Sequence, residues 1–298
     1  MNGIAFPKVR LSDVAKEAGV SLATVDRVVN ARAGVRSDTV SRVREAYDRL
    51  MEIPSGAAGR KPGQRRLRID FVLPSGDNTY IETLAETVAE AETLRNFGPN
   101  ARLRCHRCDG LDPPALAEAL RRVAADSDGI AVIALEHPAV REAVGEVAGR
   151  GVPVVTIASD ISHSKRFGYV GVDNRAAGRT AGYLMGRFVG KRGKVAMIAG
   201  SLSYRGHEER EMGFRAVLRA GFPNLEIVAL LEGRDDPAAS AAETAALIDR
   251  HPDLAGLYSI GGGSRGVAEA LTRKGRAGEI VFIGHELTRH TRRFLIAG

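Results

Sequence analysis

Residues 11–30 read LSDVAKEAGVSLATVDRVVN, which has the spacing of two short helices joined by a tight turn. Ser12 is predicted to cap the first helix and Gly19 to end it in a left-handed conformation. Ser21 is predicted to cap the second helix with its hydroxyl. The apolar residues recur at helical spacing and would form a small core of Val14, Ala15, Ala18, Val20, Val25 and Val28. The stretch therefore predicts a helix-turn-helix.

The second helix is the one whose side chains would reach nucleic-acid bases. Leu22 and Ala23 lie in its first half and Arg27 lies one turn later, so all three are expected to face a major groove. The predicted DNA contacts of this stretch are Ser21, Leu22, Ala23, Thr24, Asp26, Arg27 and Asn30. Double-stranded DNA is the expected partner.

The charge distribution agrees with this interpretation. Residues 1–66 carry 13 Lys and Arg against 7 Asp and Glu, whereas residues 67–298 carry 30 against 29. Nearly all of the net charge of +7 therefore lies at the N-terminal end. A basic segment of this kind is typical of phosphate binding, although a solvated basic face is the alternative for any single Arg.

A third helix is predicted from the Ser37 cap onward, and it would pack against the first two. Its packing face would carry Val40, Val43, Tyr47 and Leu50. Gly, Pro and Arg then dominate the chain up to residue 66, where apolar periodicity is absent. These patterns predict a DNA-binding domain over residues 1–53 and a linker over residues 54–66.

The overall composition is that of an ordinary α/β protein. Of the 298 residues, 44% are hydrophobic and 5% are aromatic, and this length suits two or three domains. No apolar run approaches the ~20 residues of a membrane span and no signal-peptide pattern is present, so a cytoplasmic protein without membrane contact is expected. Cys105 and Cys108 form a lone CxxC, which is a weak metal signal and favours free thiols, so no metal site is expected.

From residue 67 onward, short β-rich runs alternate with helical stretches. Strands are predicted over residues 68–73, 101–107, 129–134, 154–157, 169–172, 194–199, 226–231, 256–260 and 279–283, and helices over residues 80–97, 113–126, 138–150, 176–189, 205–220, 237–250, 266–274 and 290–297. This alternation predicts parallel, doubly wound sheets. A break near residues 171–174 divides them into two subdomains, 67–172 and 173–298. Ligands of such sheets bind outside the carboxyl ends of the strands, so a cleft between the subdomains is expected.

Several motifs connect these segments to a known family. The pattern DVAxxAGVSxxTVxRVxN covers residues 13–30, and later motifs read VPVV at 152–155, YVGVDN at 169–174, REMGF at 210–214 and IGHE at 283–286. Over essentially its whole length the chain resembles the lac repressor/galactose repressor family of bacterial transcription regulators. The resemblance implies an all-α headpiece followed by a two-subdomain α/β sensor of periplasmic-binding-protein type I. It also implies a homodimer whose effector, usually a sugar, closes the cleft and alters the spacing of the DNA-binding heads.

Several features depart from the pattern of that family, among them the run at 260–266, which replaces the usual Asn-Asp pair of the ligand cleft. Asp26 stands where relatives carry a small hydroxyl residue, and it either orients Arg27, accepts a hydrogen bond from a cytosine amine or weakens binding. Lys61 aligns with the leucine that relatives insert into the minor groove, so a DNA contact through phosphate is expected there instead. The family continues beyond the position of Gly298, so its last crossover strand and helices are expected to be missing here.

The resemblance also places a small neutral sugar or polyol in the cleft. Carried over position by position, the ligand-binding residues are Asn78, Tyr80, Asp160, Tyr204, Glu208, Ser264, Arg265 and Glu286. Rings would stack on apolar sugar carbons while amides and carboxylates bind hydroxyls. Relatives often carry an Arg where Glu208 stands, which disfavours a carboxylate ligand. A helix cap or a surface salt bridge is the alternative role for each residue, and Arg210 is interpreted as a structural ion-pair residue.

Other classes of function have less support in the sequence. The glycine-rich run at 261–266 lacks the spacing of a phosphate-binding loop, so no nucleotide or other cofactor is expected. The acid pairs at 208–209 and 235–236 have no nucleophile, metal cluster or His partner and are interpreted as surface charge, which argues against an enzyme. A sugar-binding transport component would not need the helix-turn-helix. We therefore expect a ligand-controlled DNA-binding regulator, most simply a repressor.

Overall fold

The computed structural model describes residues 11–29, 34–51, 67–93, 101–190 and 192–297. The chain divides into two compact units, residues 1–64 and residues 65–298. The first unit, here called the headpiece, contains α1 (Leu11–Ala18), α2 (Leu22–Val29) and α3 (Ser37–Met51). These helices enclose a small core of Val14, Ala15, Ala18, Val25, Val43 and Ala46. The predicted helix-turn-helix and its packing partner are therefore present.

The turn between α1 and α2 has the predicted geometry. Gly19 ends α1 with a φ of 62°, in the left-handed region that favours glycine. The Ser21 hydroxyl accepts a hydrogen bond from the backbone N–H of Thr24 at 3.1 Å and so caps α2. Arg42 of α3 adds a contact that the sequence did not indicate, because its guanidinium donates to the carbonyl of Ala18 at 2.7 Å. This bond attaches the last turn of α1 to α3.

Two details of the headpiece differ from the prediction. Ser12 lies inside α1, so its hydroxyl does not occupy the capping position. Tyr47 is 44% exposed, whereas Ala46 is fully buried in the core beside Val43. Because successive residues turn by about 100° around a helix, positions 46 and 47 flank the face of Val43 and Leu50 on opposite sides. The core covers the side of Ala46.

The second unit begins with the N-terminal subdomain, which is built on a five-stranded parallel sheet of order β2-β1-β3-β4-β5. Its elements are β1 (Leu67–Pro74), α4 (Thr79–Thr93), β2 (Ala101–Cys108), α5 (Pro113–Ala124), β3 (Gly129–Val132), α6 (Pro138–Gly149), β4 (Val154–Ile157) and β5 (Gly168–Val170). Side chains of Asp112 and His137 cap α5 and α6, and each of these helices starts with Pro. One buried apolar cluster joins the strands to the helices.

The C-terminal subdomain is built on a four-stranded parallel sheet of order β7-β6-β8-β9. Its elements are α7 (Asn174–Val189), β6 (Gly193–Ala199), α8 (Arg205–Gly221), β7 (Leu225–Glu232), α9 (Pro237–Arg250), β8 (Leu254–Ser259), α10 (Ser264–Arg273), β9 (Val281–Ile283) and α11 (Arg289–Ala297). Two separate apolar clusters pack with this sheet. The predicted alternation of strands and helices is confirmed, and the ends that the structure describes differ from the predicted ends by at most two residues.

Helices α7 and α8 approach each other through glycines. A Cβ added to Gly178 of α7 would lie 1.9 Å from the carbonyl oxygen of Arg210, and one added to Gly213 of α8 would lie 2.2 Å from the carbonyl oxygen of Arg175. Gly182 contacts the backbone of Phe214 in the same way. The two backbones therefore touch directly, and α8 is held in place along the side that leads to the cleft.

Candidate functional site

Helix α2 presents three of the predicted side chains to solvent, and Ser21 is exposed just before it. Leu22 is 53% exposed, Ala23 and Arg27 are also exposed, and Val25 is fully buried. Thr24 and Asp26 are half-buried, and the hydroxyls of Ser21 and Thr24 lie 2.9 Å apart. The predicted contacts Asn30 and Lys61 lie outside the described residues. The apolar Ala23 and the cationic Arg27 are one turn apart on the same exposed side of α2, an arrangement that suits base recognition in a major groove.

A cavity of about 370 Å³ lies between the two subdomains. Its lining comes from the loops that follow β1, β2, β3, β4, β7, β8 and β9 and from the first two turns of α4, α7, α8 and α9. Because every strand in both sheets is parallel to its neighbours, these loops meet at the carboxyl ends of the strands, where α/β sheets bind ligands. The position predicted for the cleft agrees with this arrangement.

Four of the predicted ligand-binding residues line the cavity: Asn78, Tyr80, Tyr204 and Glu286. The Asn78 side chain also accepts a hydrogen bond from the backbone N–H of Tyr80 at 3.0 Å, at the start of α4. Burial and the nearby Glu286 carboxylate raise the pKa of the Tyr80 hydroxyl. Tyr204 is nearly buried, and its hydroxyl donates to the carbonyl of Gly110 at 2.7 Å, so this ring joins the two subdomains at the floor of the cleft.

Asp160 does not line the cavity. Its carboxylate forms two hydrogen bonds with the Arg166 guanidinium, one of them at 2.6 Å, and accepts another from the Thr156 hydroxyl at 2.6 Å. The pKa of Asp160 is lowered although burial acts to raise it, because Arg166 and Thr156 hydrogen-bond the charged form. The carboxylate therefore fixes the loop after β4, and the assignment of Asp160 as a ligand contact is corrected.

Three further predicted residues also lie outside the cavity. Glu208 is on the exposed face of α8, while Gly206, His207 and Arg210 of that helix face the cleft. Ser264 is buried at the start of α10, and its hydroxyl bonds the Ser259 hydroxyl at 3.3 Å. Arg265 forms an ion pair with Asp77 across the mouth of the cleft. Ser264 and Arg265 lie beside the cleft and Glu208 faces solvent, so the assignment of these three as ligand contacts is corrected.

Arg210 is more central than the sequence indicated. It is 9% exposed, lines the cavity, and donates to the Asn174 side chain at 2.8 Å and to the carbonyl of Ile260 at 2.7 Å. The Glu286 carboxylate lies 3.5 Å from it. Burial raises the pKa of Glu286, Arg210 opposes this shift and Asp235 adds to it. A guanidinium and two carboxylates therefore face one space.

Asp235 was interpreted as surface charge, but it lines the cavity. Its carboxylate accepts a hydrogen bond from the backbone N–H of Gly262 at 2.6 Å. A Cβ at Gly200 would lie 1.8 Å from the carboxylate, and one at Gly261 would lie 2.6 Å from it. The glycine-rich run thus makes room for an acid, and His207, whose pKa is lowered by burial, lies against the same loop.

The backbone is strained around this cavity. Five non-glycine residues of the described chain have a positive φ, and four of them, Ala158, Arg234, Asp235 and Glu286, line the cleft. Left-handed backbone costs of order 1–3 kcal/mol at such residues and concentrates where a ligand is bound. This concentration of strain could not be read from the sequence, because none of the four is a glycine.

The remaining signals add no chemistry. Cys105 and Cys108 are free thiols on the edge strand β2, three residues apart and hence on opposite faces, and burial raises the pKa of both. Within the part of the chain that the structure describes, no group of three or more His, Cys, Asp and Glu is placed to bind a metal ion. In the same part, no helix is long and apolar enough to cross a membrane.

Comparison with known families divides the chain in two. Residues 10–55 match the bacterial regulatory proteins of the lacI family, and residues 69–298 match the periplasmic binding protein domain. The catabolite control protein A of Streptococcus mutans is 35% identical over 89 residues, which are 30% of this chain and 27% of that protein. The sucrose operon repressor of Lactococcus lactis is 35% identical over 89 residues, 30% of this chain and 28% of that protein. The chain thus spans little more than a quarter of the length of these relatives.

Solved structures resemble the second unit. The glucose-galactose binding protein GanP of Geobacillus stearothermophilus has a TM-score of 0.69 and 26% identity, covering 79% of this chain and 83% of that chain. The arabinose binding protein AraP of the same organism has a TM-score of 0.59 and 25% identity, covering 78% of each chain. The two sheets and the cleft between them are therefore an architecture that sugar-binding proteins share.

Proposed function

We propose that this chain, whose residues 69–298 belong to the periplasmic binding protein domain family and whose residues 10–55 match the lacI family of bacterial regulatory proteins, is a transcriptional regulator whose binding to operator DNA is controlled by a sugar or polyol. Residues 1–53 would bind DNA, and residues 54–66 would link this domain to the sensor. Residues 67–172 and 173–298 would form the two subdomains of the sensor. A homodimer acting on chromosomal DNA in the cytoplasm, most simply as a repressor, is part of this proposal. The observation that carries it is that one chain combines an exposed recognition helix with a polar cleft at the strand ends.

On the DNA side, Arg27 would read a guanine in each half-site. Its guanidinium can donate two hydrogen bonds to the base edge, while Leu22 and Ala23 touch thymine methyl groups. All three side chains are exposed, and Ala23 and Arg27 are one turn apart on the same side of α2. The names of the relatives, a catabolite control protein and an operon repressor, agree with this role.

On the effector side, the cleft would hold a neutral monosaccharide or a polyol of similar size. Its volume of about 370 Å³ is near the lower end of the ~300–1,000 Å³ range of small-molecule pockets. Asp235 and Glu286 can accept hydrogen bonds from hydroxyls, Arg210 can donate them, and the ring of Tyr80 offers an apolar face. Carboxylates outnumber guanidinium groups in the lining, which disfavours an anionic sugar.

Selection of sites from random duplex DNA tests the DNA arm. The parent should select a pseudo-palindrome. Arg27→Ala should weaken the binding free energy by about 1–3 kcal/mol per half-site, and it should no longer prefer one base pair at the position that Arg27 reads. Arg36→Ala is the matched control, because Arg36 is exposed but lies outside α2, so it should weaken binding without changing the selected sequence. An unchanged preference in Arg27→Ala would refute the docking.

A thermal-shift screen of neutral sugars, polyols and sugar phosphates, with and without the selected DNA, tests the effector arm. The sugar with the largest shift should bind Glu286→Gln about 1–3 kcal/mol more weakly, since an amide replaces the charged carboxylate and turns one of its two acceptors into a donor. Glu208→Gln is the control, because Glu208 is exposed on α8 and away from the cavity. Equal binding by both variants would contradict the assignment. Intact sugar recovered after incubation would agree with a regulator rather than an enzyme.

A further inference from the structure

Charged side chains connect the two subdomains at the mouth of the cleft. Arg265 in the first turn of α10 donates to the Asp77 carboxylate at 2.5 Å, although the two residues are 188 positions apart. Arg289 in the first turn of α11 lies 3.5 Å from the Glu82 carboxylate of α4. Both acids belong to the N-terminal subdomain and both arginines to the C-terminal one. We call Asp77 and Glu82 the acidic lip, and Arg265 and Arg289 the basic lip.

The lips are close enough to touch beside these ion pairs. A Cβ added to Gly262, which precedes α10, would lie 2.6 Å from the Asn78 side-chain nitrogen, next to Asp77. Gly262 does not have a positive φ. The obstacles to a side chain there are Asn78 beside the acidic lip and, at 3.1 Å, the Asp235 carboxylate of its own subdomain. A larger residue at position 262 would therefore separate the lips by steric contact.

Contacts at the floor of the cleft have a different chemistry. Tyr204 donates its hydroxyl to the Gly110 carbonyl at 2.7 Å, and the Glu136 N–H donates to the Ser203 carbonyl at 2.8 Å. These bonds join uncharged groups, and the first of them is buried. Salt has little effect on such bonds, whereas it weakens ion pairs that reach solvent. The floor and the mouth should therefore respond differently to ionic strength.

The solvent exposure of the lips limits what each pair contributes. The side chains of Arg265 and Asp77 are 29% and 51% exposed, and those of Arg289 and Glu82 are 66% and 35% exposed. Exposed pairs of this kind change an equilibrium constant by up to about fivefold each. Two such pairs are enough to shift a nearly balanced equilibrium between open and closed clefts toward the closed one. They are too weak to prevent the cleft from opening and admitting a ligand.

We propose that the acidic and basic lips form an electrostatic latch, which favours the closed cleft without ligand and makes its opening depend on ionic strength. The latch rests on the proposed function only in that an open cleft is what admits an effector. Raising the salt concentration would open the cleft, and an effector would then enter and leave faster. Reversing one charge would open the cleft at low salt, because it places like charges at the mouth.

Distances between the subdomains in the full chain, measured without sugar or DNA, test the latch. Donor and acceptor dyes would replace the exposed Glu118 of α5 and Ala242 of α9 through cysteine, in a chain carrying Cys105→Ser and Cys108→Ser. Dilution of labelled chains with unlabelled ones keeps the energy transfer within one chain. Gly262→Val supplies the distance of the open cleft.

Asp77→Arg and Arg265→Asp should each shift the ratio of closed to open cleft by at least about fivefold toward open, and the double swap should restore it. In the parent, the ratio of open to closed cleft should rise about two- to fivefold when NaCl rises from about 50 mM to about 500 mM. Glu269→Gln is the matched control. Its carboxylate lies 3.9 Å from Arg265 within α10, so this variant should stay closed.

Single reversals that keep the parent's distances at both salt concentrations would overturn the latch. So would a double swap that stays as open as the single variants, since the opening would then not come from the pair. No sugar or operator takes part in the measurement. Failure of the latch therefore leaves the proposed function untouched, and failure of the proposed function leaves the latch untouched.

Discussion

The two walls of the cleft come from similar loops, yet they differ in chemistry. The N-terminal wall presents Tyr80, Ile133 and Ala158, and its acids Asp77 and Asp109 are exposed. On the C-terminal wall, Arg210 and Glu286 are largely withdrawn from solvent and joined to each other. A buried charge is costly unless it is paired. A substitution in the C-terminal wall should therefore lower both ligand affinity and the stability of the fold. A substitution in the N-terminal wall should lower mainly ligand affinity.

The largest expected effect comes from breaking the C-terminal wall. Arg210→Met should lower the free energy of unfolding by about 3–5 kcal/mol, because it leaves Glu286 without its cation and Asn174 without its donor. Denaturant titration measures this loss. Arg205→Met is the control on the same helix, since Arg205 forms an i,i+4 pair with Glu209, and it should cost at most about 1 kcal/mol. Equal losses would show that the wall is not coupled to folding.

The second effect is on binding and concerns the N-terminal wall. Tyr80→Ala should weaken binding of the sugar found by the thermal-shift screen by about 1–3 kcal/mol, since the ring that stacks on the sugar is lost. Tyr80→Phe keeps the ring and should bind within about 1 kcal/mol of the parent. Calorimetric titration measures both. A loss of stability in Tyr80→Ala as large as that of Arg210→Met would remove the distinction between the walls.

The third prediction concerns pH and sharpens the role of Glu286. Its folded-state pKa lies above the unfolded value of about 4.5 because burial raises it. The folded chain then holds this proton more tightly than the unfolded chain, so the stability linked to Glu286 increases as the pH falls toward about 4.5. The difference in unfolding free energy between the parent and Glu286→Gln should therefore shift in favour of the parent as the pH falls from neutral. A difference that does not change with pH would contradict burial of the carboxylate.

The smallest effect concerns the strained residue of the N-terminal wall. Ala158 has a φ of 60°, so Ala158→Gly should relieve left-handed strain and raise the stability by at most about 1 kcal/mol. Ala242→Gly in the middle of α9 is the control, and it should lower the stability by about 1 kcal/mol. Thermal unfolding compares the two. If both substitutions lower the stability, the backbone at position 158 is not strained enough for glycine to relieve it.

The sequence predicted the fold well because periodicity is a local property. The alternation of strands and helices fixed the two sheets, and the rule for parallel strands then located the cleft. Asn78, Tyr80 and Tyr204 reach it because they lie directly after a strand or before a helix that opens on it. Such residues are predictable from their place in the alternation alone.

The residues that the sequence misassigned depend on side-chain contacts that the pattern of strands and helices does not specify. Asp160 follows its strand as expected, but Arg166 captures its carboxylate. Asp235 enters the cavity only because glycines at positions 200, 261 and 262 leave space for it and its own backbone is left-handed. The partner of Arg265 is 188 positions away. Spacing along the chain carries no information about any of these three arrangements.

The contact between α7 and α8 has a consequence for the gene. Every single-base change in the first or second position of a glycine codon encodes a larger residue or a stop, and the space beside Gly178 and Gly213 does not admit even a methyl group. Positions that belong neither to the DNA-binding helix nor to the cavity lining should then be among the least tolerant of mutation. In a library of random variants selected for regulation, these codons should be depleted before Glu208 or Tyr183, whose side chains face solvent.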